Sequence, residues 1–116
     1  MYQLTVVKTK FDLNQNICDI FYATYLMACH RNIKQIPREI GSLTNLTDLR
    51  LFNNEIEEIP KSLSRLTNLS WIDLSHNQIT EIPKELSNLT NLDYLFLSHN
   101  KITKIPYELK HLNYII

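Results

Sequence analysis

Apolar and polar positions along this chain follow no single helix or strand period; they recur in blocks. From Leu46 the apolar and turn positions run Leu46, Leu49, Leu51, Asn54, Ile56, Ile59-Pro60 and Leu63. The same order returns at Leu69, Ile72, Leu74, Asn77, Ile79, Ile82-Pro83 and Leu86. It returns again at Leu92, Leu95, Leu97, Asn100, Ile102, Ile105-Pro106 and Leu109. Each position stands 23 residues from its counterpart (72 − 49 = 23; 95 − 72 = 23). A fixed period of about 20–29 residues means stacked structural copies that share one core.

Local patterning assigns the elements within a block. In x-Leu-x-Leu-x the two apolar residues of a short strand point inward and their neighbours point outward. The Asn that follows has to turn the chain, and its amide can bond backbone groups that the turn leaves unpaired. Asn54, Asn77 and Asn100 are therefore expected to form a ladder. The Ile-Pro step opens an outer arm, since Pro fixes the chain direction and suits the first position of a helical turn. Successive strands are expected to pair in parallel at about 4.8 Å, with Leu63, Leu86 and Leu109 closing the core from the arm.

The register continues backward as a weaker copy through Ala23, Leu26, Ala28, Ile33, Ile36 and Pro37. Arg31 holds its Asn position, with Asn32 next door, and Leu13, Ile17 and Ile20 match part of a further copy. Forward, Leu112 and Ile115 begin another copy, and Ile116 ends the chain before a strand motif. The expected organisation is a capping segment over 1–22 and repeats over 23–116, about four followed by a truncated fifth. Alternation in Tyr2 to Lys10 predicts a capping strand, one half of a hairpin. Asp12 to Tyr22 reads alternatively as a short helix with an acidic or Asn cap. At the other end Leu109, Leu112, Tyr114, Ile115 and Ile116 leave an apolar edge, a candidate for end-to-end homodimerisation.

Composition narrows the function classes. The 116 residues carry 12 Lys and Arg against 12 Asp and Glu, and only one Gly. A balanced charge without a basic stripe argues against nucleic acid or an anionic membrane as partner. A single Gly leaves no phosphate-cradling loop. The apolar stretch Ile17 to Cys29 contains Asp19 and is too short to span a bilayer. Cys18 and Cys29 form no cysteine cluster, and the N-terminus has no basic region followed by a long apolar segment, so a reducing, cytoplasmic location is expected. The N-x-[ST] triplets at Asn45, Asn68 and Asn88 read as repeat filling rather than glycosylation sites.

The blocks Ile59-Pro60-Lys61-Ser62-Leu63, Ile82-Pro83-Lys84-Glu85-Leu86 and Ile105-Pro106-Tyr107-Glu108-Leu109 resemble the 23-residue, IPxxL-containing class of intracellular leucine-rich repeat proteins. That class includes Ras-pathway scaffolds and plant Ras-group proteins. The resemblance implies an α/β solenoid, with a short curved parallel sheet on the concave face and 3-10 or short helical arms on the convex face. It also implies a non-catalytic module that binds other proteins in signalling or scaffolding and needs no cofactor.

The register also lists the outward positions of the sheet. One column is Tyr25, Asp48, Trp71 and Tyr94; the next is Met27, Arg50, Asp73 and Phe96. Then come Cys29, Phe52, Ser75 and Ser98, and last His30, Asn53, His76 and His99. A solvated sheet face is normally polar, yet this one gathers aromatics. Clustered exposed aromatics with an Arg favour partner binding, so Tyr25, Arg50, Phe52, Trp71, Asp73, Tyr94 and Phe96 are the candidate partner-binding residues. Arg50 and Asp73 are expected to pair across strands. The rival readings are cross-strand support of the sheet, cover of the aromatics by the N-terminal segment, and self-association through the patch or the C-terminal edge.

Two other constellations carry less. His76 and His99 stand side by side, but no C-x-x-C or H-E-x-x-H spacing supplies further ligands, so no metal site is expected. Asp73, Ser75 and His76 contain the residue types of a triad. Neighbours along a strand alternate faces, however, and the chain has no nucleophile elbow, so catalysis is not expected.

Overall fold

A computed structural model describes residues 20–21, 24–30 and 32–115. Among these residues six short strands form one sheet in chain order: β1 Ile20–Phe21, β2 Tyr25–Met27, β3 Asp48–Arg50, β4 Trp71–Asp73, β5 Tyr94–Phe96 and β6 Tyr114–Ile115. β2 to β6 run parallel, and β1 pairs antiparallel with β2. Between the parallel strands the chain crosses the back of the stack in 3-10 turns at Arg38–Ser42, Lys61–Arg65, Lys84–Asn88 and Tyr107–Leu109. Pro37, Pro60, Pro83 and Pro106 immediately precede these turns in extended conformation. The α/β solenoid expected from the periodicity is the observed architecture.

The middle residue of each strand fixes the register. Leu26, Leu49, Ile72 and Leu95 are successive partners and are all buried, whereas the residues flanking each point away from the core. Leu51, Leu74, Ile56, Ile79, Leu63 and Leu86 join them in one apolar cluster running the length of the stack. Full burial of one such side chain contributes roughly 1.5–3 kcal/mol, so the cluster supplies the main driving force for stacking.

The asparagine ladder forms as the spacing requires. Asn77 accepts from the Ile56 amide at 3.0 Å and donates to the Leu51 and Leu74 carbonyls at 3.0 Å each. Asn54 makes the corresponding bonds to Ile33, Ala28 and Leu51, and Asn100 to Ile79, Leu74 and Leu97. Each amide thus ties its own turn to the preceding coil. A second, lighter ladder lines the start of the strands: Thr47 Oγ1 donates to the Thr24 carbonyl and Ser70 Oγ to the Thr47 carbonyl.

The ends depart from the sequence reading in two places. Ile20–Phe21 is a strand, not part of a helix, because it completes the open edge of β2; Tyr2 to Lys10 lies outside the described residues. At the far end the chain does reach a strand. β6 pairs with β5 in the register Leu95↔Tyr114 and Phe96↔Ile115, a step of 19 residues (114 − 95) in place of 23. Leu109 and Leu112 still stand 23 residues from Leu86 and Leu89 and are buried like them, so the four residues are lost between Leu112 and β6.

Candidate functional site

The outward face of β2 to β5 gathers the aromatic side chains. Trp71 on β4 meets Tyr94 and Phe96 on β5, with ring centroids 5.1 and 5.0 Å away, and Tyr94 stacks on Phe96 at 6.1 Å. The strand register explains the contacts. Tyr94 is the direct partner of Trp71 and Phe96 lies on the diagonal, both within reach of large side chains on one sheet face. Tyr94 is 46% exposed, while Trp71 and Phe96 are half-buried. The Trp71 indole nitrogen is buried by its neighbours and has no hydrogen-bond partner, an unsatisfied donor of the kind that costs about 1–3 kcal/mol.

On the β2–β3 side Arg50 occupies the face. Its guanidinium grips Asp48 with two bonds, Nε to Oδ1 at 3.0 Å and Nη2 to Oδ2 at 3.1 Å. The same group lies over Tyr25 at 5.6 Å and over Trp71 at 5.0 Å. The hydrogen bond to Asp48 raises the Arg50 pKa above its ordinary value against the opposing effect of burial, with smaller electrostatic support from Asp48, Tyr25 and Asp73. The expected Arg50–Asp73 pair is therefore corrected. Residues i and i+2 of one strand share a face roughly 7 Å apart, so the long Arg side chain reaches Asp48 and takes it bidentate. Asp73 turns to its own chain, where Oδ1 accepts from the Ser75 amide at 3.0 Å and from the Ser75 hydroxyl.

The third and fourth columns also differ from the alternating picture. Cys29 and Ser75 are buried, and Phe52 and Ser98 are half-buried, because the strands end two residues earlier. Phe52 stands against His30, ring edge to face at 6.1 Å, and away from the Trp71 cluster. His30, Asn53, His76 and His99 all have left-handed backbone, with φ of 57°, 56°, 55° and 57°. Asn and His are among the residues that tolerate this region best, and the turn before the ladder Asn demands it. That requirement accounts for the column. The His76 and His99 rings stack at 4.1 Å in solvent. Among the described residues no group of three or more His, Cys, Asp or Glu converges on a point suited to a metal. Asp73 and Ser75 bond each other while His76 stacks on His99, so the three do not assemble as a triad.

Seven candidates were expected on this face, and the structure places five of them together. Tyr25, Arg50, Trp71, Tyr94 and Phe96 form one connected cluster. Asp73 faces outward beside them, half-buried, and Phe52 stands apart. The sequence reading left out Asp48, the anchor of Arg50, although its position two residues earlier on the same strand was in view.

Residues 6–115 match the family model described as a leucine-rich repeat region. The chain belongs to the leucine-rich repeat family. Its fold resembles the leucine-rich repeat ectodomain of the receptor kinase SOBIR1 from Arabidopsis thaliana, with TM-score 0.79 and 25% identity over 97% of this chain and 73% of that one. A leucine-rich repeat protein of Leptospira interrogans is 32% identical over 78% of this chain, with TM-score 0.61. The functional domain of InlJ from Listeria monocytogenes, which includes a cysteine ladder, is 25% identical over 85% of it, with TM-score 0.65. This leucine-rich repeat chain spans only 30% of the Leptospira protein and 22% of the Listeria domain. No curated protein matches it by sequence.

Proposed function

We propose that this leucine-rich repeat protein is a non-catalytic interaction module that binds a partner protein through its concave face. The observation that carries the reading is the Trp71–Tyr94–Phe96 cluster, which places three aromatic rings on the outward side of the sheet. These rings stand outside the buried core, Tyr94 exposed and Trp71 and Phe96 half-buried, and clustered aromatics are typical of an interaction hot spot. Among the described residues, two open grooves lie between the Ile-Pro arms and are lined mainly by Lys, Glu and Thr.

The finer class belongs to the same proposal. A 23-residue step between paired strand residues, with Ile-Pro ahead of each outer turn, supports the intracellular IPxxL type and a cytoplasmic scaffold or signalling role. Asn45, Asn68 and Asn88 are exposed, so a glycan on any of them in protein isolated from its source would contradict that location.

The test is affinity capture from source-cell lysate with three proteins. They are the wild type, a folded Trp71→Ala/Tyr94→Ala/Phe96→Ala variant, and a convex-face variant, Lys84→Ala/Tyr107→Ala. A partner captured by the wild type and the convex variant, and lost by the aromatic one, is the expected result. Loss only in the convex variant would move the site to the arms. Capture of nothing but further copies of the chain would favour self-association.

A further inference from the structure

The concave face, accepted as the binding surface, has a charge pattern that narrows its partner. On β2 to β5 and the residue before each strand, the charged side chains are Asp48, Arg50, Asp73 and Asp93. Three acids against one base leave this face at −2 (1 − 3), although the whole chain has 12 basic and 12 acidic residues. Lys34, Lys61, Lys84, Lys101, Lys104 and Lys110 all lie off these strands. The aromatic face is therefore also an acidic one.

The molecule itself shows what such a surface holds. Arg50 sits over the Tyr25 and Trp71 rings with a carboxylate gripping its guanidinium. Ring faces attract cations through their quadrupole, most strongly where water is displaced. The neighbouring half offers the same two components; Arg50 covers its Trp71, and among the described residues no cation lies over Tyr94 or Phe96. Trp71, Tyr94 and Phe96 present ring surface, and Asp73 and Asp93 provide carboxylates. Asp73 uses only Oδ1 for its bonds to Ser75, and Asp93 is exposed. In the hydroxyl ladder at the strand starts, Asp93 follows Thr47 and Ser70 and cannot donate as they do.

We infer that the β4–β5 half of the concave face recognises an arginine- or lysine-bearing segment of the partner protein. A basic side chain lies over the ring cluster, with Asp73 and Asp93 as its counter-charges. Arginine suits the site better, since a planar guanidinium both stacks on a ring and bonds a carboxylate with two nitrogens. The inference rests on the concave face being the binding surface.

Trp71 is the single tryptophan of the chain, so its emission reports on this half directly. The intact protein is titrated with an acetylated, amidated nonapeptide alternating Arg and Gly, then with Gln and Glu counterparts. Asp73→Asn/Asp93→Asn is tested beside it; the Asn at 73 keeps an oxygen for the Ser75 amide, and circular dichroism checks the fold. The arginine peptide should change Trp71 emission saturably and bind at least about tenfold tighter than the Gln peptide. That binding should weaken as salt is raised and disappear in the double variant. Equal response to the Gln or Glu peptide, or unchanged binding by the folded double variant, overturns the inference. If the aromatic triple variant still loses a lysate partner while no basic preference exists, only the charge argument falls. If neither experiment depends on the face, the binding surface falls with it.

Discussion

The two halves of one concave sheet are built from the same repeat and finished differently. Across β2 and β3 the face is closed upon itself, with Arg50 between Tyr25 and Trp71 and held by Asp48. Across β4 and β5 Arg50 reaches only the Trp71 ring, and among the described residues no cation lies over Tyr94 or Phe96. The backbone beneath is the same in both halves, since Asp48, Trp71 and Tyr94 are successive partners in one register. Repetition therefore fixes where an outward side chain stands, and the individual residue decides whether the surface is satisfied internally or left for a partner.

That comparison can be broken most severely at the seam. Asn77 joins the halves by bonding the Leu51 carbonyl on one side and the Leu74 carbonyl and Ile56 amide around it. Replacing it with Ala orphans the buried Ile56 amide and removes one of two bonds at each of the Leu51 and Leu74 carbonyls, so Asn77→Ala should destabilise the fold by about 2–4 kcal/mol. Urea denaturation followed by Trp71 emission would measure this, and both halves should unfold in one transition. A loss below about 1 kcal/mol would mean that the ladder is ornamental to stability.

A smaller break confined to the closed half is available at Gly41. Added at this position, a Cβ would meet the Ser62 carbonyl oxygen at 2.8 Å, backbone that cannot swing aside. Gly41→Ala should cost about 1–3 kcal/mol through overpacking and leave the Trp71–Tyr94–Phe96 contacts in place. Thermal melting together with the Trp71 emission maximum separates the two effects.

Arg50→Ala sharpens the comparison further. The pair is partly exposed, with 34% and 21% of the Arg50 and Asp48 side chains accessible. Its removal should cost no more than about 1 kcal/mol. It would also uncover the Trp71 ring and free Asp48, so an arginine peptide should bind the variant at least as well as wild type. Weaker binding would place Arg50 among the partner's contacts. Least of all is expected from His76→Asn, which keeps a residue suited to positive φ and should stay within about 0.5 kcal/mol of wild type in denaturant.

The sequence carried the frame in full because the frame depends on local, repeated constraints. Buried Leu26, Leu49, Ile72 and Leu95, the ladder at Asn54, Asn77 and Asn100, and Pro ahead of each outer turn each follow from one residue type at one spacing. The face was legible only as positions. Alternation put Arg50 and Asp73 outward correctly, but the partner of a long flexible side chain is a matter of nearest geometry, and Asp48 was nearer. Alternation also failed at Cys29 and Ser75, because three-residue strands end before those positions and the chain then bends toward its turn. The left-handed backbone shared by His30, Asn53, His76 and His99 was not read from the spacing. At the C-terminal end, a shortened return from Leu112 to β6 shifted the register by four residues (23 − 19), and no period could announce that.

One comparison tests the central claim most directly: capture of the same lysate partner by two folded variants, one for each half of the face. Trp71→Ala/Tyr94→Ala/Phe96→Ala strips the open half, and Tyr25→Ala/Arg50→Ala strips the closed one. The account predicts that the first variant loses the partner and the second retains it. Retention by the first and loss by the second would contradict it.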